Sequence, residues 1–168
     1  DEEEKDGIKD DYLTLTQFPR YKDNPDYKNE NKRDDFLKKN NLRFLRYYQV
    51  DAINAIQQKI KNGGDRFLLE MATGTGKTTT SAAIIRMFLR LYKVNRVLFL
   101  VDRLELENQA KKEINDILQN DYVTEIWKEK KDNWRKADIV ISTVQSFTHQ
   151  NKYKREFKPN SFDLVISD

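Results

Sequence analysis

Met71-Ala72-Thr73-Gly74-Thr75-Gly76-Lys77-Thr78 is the stretch around which the rest of the chain is organised. An apolar run, Phe67-Leu68-Leu69, leads into it, and a helical pattern opens near Lys77. Strand, glycine loop and helix in that order are the context in which a Gly-Lys-Thr triplet becomes a phosphate site. Glycines let the backbone fold into a nest whose N–H groups point at one centre. A helix opening at Lys77 adds its unpaired N–H groups and positive dipole end to the same point. Lys77 is then expected to reach the β and γ phosphates of a nucleoside triphosphate, and the Thr78 hydroxyl to ligate Mg²⁺. The strict form of the pattern starts with glycine, and Met71 holds that place here.

Bulk properties narrow the class without naming a ligand. A length of 168 residues suits one domain with a sizeable core, with an arm attached. Charged residues at 35% and hydrophobic residues at 38% fit an α/β domain with a heavily charged surface. A net charge of +3 is too small to argue for nucleic acid, so that argument rests on local clusters. Without cysteine there are no disulfides and no thiolate metal sites. The longest apolar run, 97–101, is far short of a membrane span, and no signal peptide opens the chain. The expectation is a soluble, cytoplasmic protein with no membrane partner.

Taken in order, residues 1–11 carry seven acids against two bases and read as a solvated tail. Residues 12–41 are polar, with Leu13-Thr14-Leu15 and Phe36-Leu37 as the apolar footholds. An irregular arm over 1–41 is expected there, with a short helix near 34–39. Order begins at Leu42. Tyr48, Ala52, Ala55, Ile56 and Ile60 fall at helical spacing, so 46–61 reads as an amphipathic helix that Asn62-Gly63-Gly64 stops. Residues 66–71 read as the first core strand, and 79–91 as a helix apolar around much of its circumference. Strands follow at 96–101, 123–127, 139–144 and 162–167. Leu106, Ala110, Ile114 and Ile117 mark a helix between the first two of these. Trp127 and Trp134 bracket a charged segment expected to be a solvated loop. Strands alternating with helices of this length give a parallel sheet with helices on both faces, the three-layer P-loop architecture, over 42–168. Ligands in such sheets sit at the carboxyl ends of strands.

Four further segments stand in fixed order around the loop. Arg46-Tyr47-Tyr48-Gln49 supplies a glutamine amide, which can pair with adenine N6 and N7. Phe99-Leu100-Val101-Asp102-Arg103 ends a buried strand in polar residues, although Asp102 could simply cap the next helix. Ser142-Thr143-Val144-Gln145-Ser146 offers small hydroxyl and amide groups able to bond a sugar-phosphate backbone. In 162–168 an acid, Asp168, ends an apolar strand and can hold Mg²⁺ opposite Thr78. His149, the only histidine, has no ligand set around it in sequence and reads as a surface position.

Together these segments resemble the first RecA-like domain of a superfamily 2 helicase. The phrase Met-Ala-Thr-Gly-Thr-Gly-Lys-Thr with Leu-Phe-Leu-Val-Asp-Arg after it is similar to the motor (R) subunits of type I restriction enzymes. Type III restriction enzymes and other DEAD/DEAH-like translocases are near neighbours, and Met71 is at home among them. The resemblance covers 42–168. It implies that Arg46 and Gln49 recognise adenine and that Thr73, Gly74, Thr75, Gly76, Lys77, Thr78 and Thr79 hold ATP. It implies a catalytic role for Lys77 and Asp168, with Mg²⁺ between Thr78 and Asp168. Arg103, Gln109, Thr143 and Gln145 would line a surface facing double-stranded DNA.

Further partners implied are the remaining motor and nuclease domains of a parent chain and the specificity and methylation subunits of a restriction complex. The family's next residue after Asp168 is a catalytic glutamate, and its second motor domain supplies an arginine finger. Without either, the chain is expected to bind ATP and hardly hydrolyse it. Two other readings are a stand-alone nucleotide switch without hydrolysis and the motor of another DEAD/DEAH-like helicase. A P-loop phosphotransferase would leave Gln49 and Ser142-Thr143 without a role.

Overall fold

A computed structural model of the chain describes residues 21–40, 42–118, 121–127 and 130–168. The acidic run at 1–11 and the Leu13-Thr14-Leu15 foothold lie outside these residues. By its internal contacts the chain divides into two compact units, Asp1–Ala72 and Thr73–Asp168. The division falls inside the phosphate loop, and each unit is described by itself.

In the first unit a short 3-10 turn, Tyr21–Asp23, leads into helices α1 (Pro25–Lys28) and α2 (Glu30–Lys39). Local chemistry explains both starts. The Asn24 side chain accepts from the Asp26 N–H at 2.9 Å with Pro25 at the first helical position. The Asn29 side chain does the same for the Asn31 N–H at 3.0 Å. Tyr21, Phe36 and Leu42 are buried together, with Tyr27 and Leu37 against them. The short helix expected near 34–39 is present as the end of α2, and the rest of 21–39, expected to be irregular, is largely helical too and carries its own small core. Helix α3 (Tyr47–Lys61) follows, burying Gln49, Ile53, Ile56 and Gln57. Asn62-Gly63-Gly64 ends it as expected, with Gly63 N–H bonded to Ile60 O at 2.8 Å.

The second unit is the α/β part. After α4 (Lys77–Leu91) come β1 (Val97–Val101), α5 (Leu104–Leu118), β2 (Thr124–Ile126), a 3-10 helix (Lys130–Lys136) and β3 (Ile139–Thr143). Two five-residue helices, α6 (Val144–Thr148) and α7 (Lys152–Glu156), then precede β4 (Leu164–Ser167). The four strands form one sheet in the order β2-β3-β1-β4. Every neighbouring pair is parallel, with Phe99 facing Ile141 on one side and Ile166 on the other. A central strand covered on both faces has no place for polar side chains, which is why Val-Leu-Phe-Leu-Val is apolar throughout.

The two faces are covered differently. Leu98 and Val140 meet Trp127, Trp134 and Ala137 on one face, with Phe147, Phe157 and Phe162 packed around them. Strand alternation turns Val97, Phe99 and Val101 to the other face, which α5 covers with Ala110, Ile114, Ile117 and Leu118. Helix α4 packs beside α5. Trp127 and Trp134, expected to pin a solvated loop, are core residues, 5% and 3% exposed. Their rings meet edge to face at 6.4 Å, an arrangement worth about 0.5–1.5 kcal/mol beyond the burial itself. Arg96 holds the lower end of this cluster. Its guanidinium donates to Trp134 O at 2.6 Å and Ala137 O at 3.2 Å and lies over the rings of Phe157 and Phe162. Burial pulls the Arg96 guanidinium below its ordinary value, and neighbouring Asp138 acts in the opposite sense.

Residues 66–71 are the main departure. Expected as the first core strand, they carry no strand assignment. Leu68 is 94% exposed, so the apolar run that leads into the loop is not buried. A strand is a property of two segments sharing a ladder, and an apolar sequence without a partner has no backbone bonds to gain from extension. Leu106, expected to face inward, is 39% exposed in the first turn of α5, and the inward stripe starts at Ala110.

Candidate functional site

The glycine loop has the backbone geometry that its sequence calls for. Gly74 and Gly76 sit at φ +78° and +82°, a region that side-chain-bearing residues rarely adopt. Space beside Gly74 is open, with no heavy atom within 4 Å of where a Cβ would stand. Gly76 is the residue from which α4 starts, and its carbonyl accepts both the Thr80 N–H at 2.9 Å and the Thr80 hydroxyl at 3.0 Å. Lys77 is exposed at the first helical position, and Thr78 beside it is half-buried. Thr79 is turned toward α5, its hydroxyl 3.4 Å from Glu113 Oε1. The loop therefore presents an exposed ammonium, a hydroxyl and a helix N-terminus to open space, which is the chemistry of a polyphosphate cradle.

At the carboxyl edge of the sheet, the ends of β3, β1 and β4 are level. Val101 pairs with Thr143, and the Asp168 N–H continues the ladder to Leu100 O at 2.9 Å. Asp102 and Arg103, then Gln145, and Asp168 thus line one edge, all exposed. Arg103 Nε lies 3.5 Å from Asp102 Oδ2 in an ion pair that is 75% exposed on both sides, a contact of little energetic weight. Gln109 is exposed further along α5.

Thr143 is different. It is 1% exposed, its hydroxyl accepts the Ser146 N–H at 2.9 Å and donates to Ser146 Oγ at 2.8 Å, and it caps α6. Its own N–H donates to Glu107 Oε1 at 2.8 Å. Thr143 orients the segment that carries Gln145, and Glu107 ties that segment to α5. The sequence offered no sign of Glu107 or Glu113 in these roles, because their partners lie 36 and 34 residues away. Thr143→Ala is expected to destabilise the chain by about 1 kcal/mol in urea unfolding, with Thr143→Ser close to neutral, because the cap needs only the oxygen. An alanine variant as stable as the unaltered chain would show that the cap contributes nothing.

Arg46 and Gln49 belong to the first unit. Gln49 Oε1 accepts the Arg46 N–H at 2.9 Å, the back-bond from the third helical residue that closes a helix start. Gln49 is 3% exposed, so its amide is set by the helix start and little of it reaches the surface.

A divalent cation can be tested against the donors present. No group of three or more His, Cys, Asp or Glu side chains among the described residues could hold a metal by itself. Thr78 and Asp168 are hard oxygen donors, and Mg²⁺ is ordinarily held by one or two such groups together with substrate phosphates. The residues fit that ion. Among the described residues, no helix is long and apolar enough to cross a membrane.

The chain is similar to known proteins over most of its length. The endonuclease subunit of the type I restriction enzyme EcoKI from Escherichia coli K12 is 35% identical over 130 residues, 74% of this chain and 11% of its own length. The corresponding EcoAI subunit from Escherichia coli is 36% identical over 130 residues, 73% of this chain and 15% of its own length. This chain therefore spans only a small part of those relatives. Among solved structures, a nuclease-deletion mutant of the type ISP restriction-modification enzyme LlaGI, in complex with a DNA substrate mimic, superposes with a TM-score of 0.59 at 26% identity. That match covers 74% of this chain and 15% of the other. The family described as type III restriction enzyme, res subunit, matches residues 43–168. With three-quarters of its length matched from just before α3 to Asp168, the chain belongs to that restriction-enzyme family.

Proposed function

We propose that residues 42–168 are the ATP-binding half of the motor of a DNA-translocating ATPase, from a parent of the type I restriction R-subunit kind. The observation that carries this is the loop. Two left-handed glycines run directly into an exposed lysine at a helix start, with open space beside Gly74. The relatives being restriction-enzyme subunits supports the choice of parent. In this reading Thr73, Gly74, Thr75, Gly76, Lys77, Thr78 and Thr79 bind the triphosphate. Thr78 and Asp168 hold Mg²⁺, which would neutralise charge on the phosphate oxygens. Arg103, Gln109 and Gln145 face double-stranded DNA, with Thr143 positioning the last of them. The parent would hydrolyse ATP through its remaining motor domain and work with nuclease, specificity and methylation components.

Nucleotide selectivity tests the reading at Gln49. One hydrogen bond from the Gln49 amide to adenine is worth about 0.5–1.5 kcal/mol, so ATP should bind this chain roughly 2- to 12-fold more tightly than GTP in calorimetric titration. Gln49→Glu retains the back-bond to the Arg46 N–H and loses the amide donor. It should remove the preference while leaving α3 intact by circular dichroism. Equal affinity for ATP and GTP in the unaltered chain would overturn the assignment of Gln49 and Arg46 to adenine.

A further inference from the structure

Residues 21–40 and Leu42 lie ahead of the family match and yet fold into a small body of their own. Its parts are tied to one another at several points. Tyr21 and Tyr27 meet edge to face at 4.9 Å, and Tyr27 meets Phe36 in the same manner at 6.1 Å. Arg33 joins α1 to α2, donating from Nε to Tyr27 O at 2.8 Å with its guanidinium over the Tyr27 ring. Past the end of α2 the Leu42 N–H returns to Leu37 O at 2.9 Å, and the Leu42 side chain is buried with Tyr21 and Phe36. The place of Leu42 is therefore set by the arm.

Residues 43–46 bridge from Leu42 to α3 and form neither helix nor strand. Such a run has no ladder or helical bonds of its own to hold it. Phe44 supplies a hold. Its ring meets the Tyr21 ring edge to face at 5.5 Å and 71°. Tyr21 is 4% exposed, so the ring that receives Phe44 is fixed in the core of the arm. Close behind, Arg46 is the N-cap of α3, with extended backbone at φ −75° and ψ 155°. Its guanidinium donates to Tyr48 Oη at 3.0 Å, and its N–H is the donor that Gln49 Oε1 receives.

We propose that Tyr21 and Phe44 are positioning residues for base recognition: the folded arm clamps 42–46, and through that segment it sets the start of α3 from which Arg46 and Gln49 meet adenine. The inference rests on the adenine reading given above and extends it to residues upstream of the family match. Neither ring contacts the nucleotide; both act through the backbone that follows. A clamped segment is already in its binding conformation, whereas a loose one has to be ordered when the base arrives. The apparent affinity then falls with the fraction of molecules in which the start of α3 is out of place. The strength of one aromatic pair bounds that effect at about two- to tenfold. The loss falls on the base alone, because the phosphate loop has its own glycines and its own helix.

Phe44→Ala in the 168-residue chain removes the contact at a ring that is 41% exposed, so the core of the arm stays filled. It should weaken ATP binding about two- to tenfold in calorimetric titration and leave the affinity for inorganic tripolyphosphate unchanged. Phe44→Tyr keeps a ring against Tyr21 and should bind ATP as the unaltered chain does. In the unaltered chain ATP should also slow amide hydrogen exchange over 36–46, and tripolyphosphate should not. A Phe44→Ala variant with unchanged ATP affinity, or one that loses ATP and tripolyphosphate alike, would overturn the clamp while a preference for ATP over GTP keeps the adenine reading in place. Exchange over 36–46 that ATP leaves unchanged, or that both ligands slow equally, would overturn it too. Equal binding of ATP and GTP by the unaltered chain would remove the adenine reading and the clamp with it.

Discussion

Lys77→Ala is expected to weaken ATP binding by about 10- to 100-fold, with no measurable change in stability. Both halves of that expectation come from where Lys77 sits. It is exposed at the first residue of α4, so it contributes little to the fold. A hydrogen bond between an ammonium and a phosphate oxygen is worth about 1.5–3 kcal/mol, which is the predicted loss in affinity. The helix dipole and the loop N–H groups remain in the variant, so residual binding should persist. Fluorescent ATP analogues in equilibrium titration, with urea unfolding alongside, measure the two quantities separately. A change in affinity below twofold would mean that the loop does not bind triphosphate through Lys77. A large loss of stability would mean that the lysine holds the loop and not a ligand.

Phe99→Ala should have the largest effect on stability, about 3–5 kcal/mol. Phe99 is 0% exposed at the middle of β1, with β3 on one side and β4 on the other. Removing its ring takes away contacts on the α5 face of the sheet and leaves a cavity that a two-sided ladder cannot close by shifting one strand. Small domains have total stabilities of only about 5–15 kcal/mol, so the variant should unfold at far lower urea than the unaltered chain. Asp168 reaches its place through its bond to Leu100 O, the residue after Phe99, so nucleotide-dependent stabilisation should weaken along with the sheet. A loss under 1 kcal/mol would show that β1 is not the centre of this core.

Much of this arrangement is legible in the residues alone. Helices α3, α4 and α5 and strands β1 to β4 begin and end within about two residues of where periodicity and apolar runs put them, because each is set by its own side chains. The arm was expected to be irregular outside 34–39 because it is polar, and its small core escaped that reading because Tyr21, Phe36 and Leu42 are too far apart in sequence to show as one apolar pattern. The backbone of the glycine loop was legible: left-handed φ at two positions requires its glycines, and that need is local.

What the sequence by itself determined, then, is every feature that a short window of chain decides, including the parallel sheet's strands, the loop and the lysine at its end. Only the tertiary structure decided which segments pair and what each polar group bonds. The segment 66–71 has the composition of a core strand and yet is not one, because a strand depends on a partner that composition does not show. Trp127 and Trp134 sit among charges in sequence and are buried in space, since the aromatics that enclose them come from 147, 157 and 162.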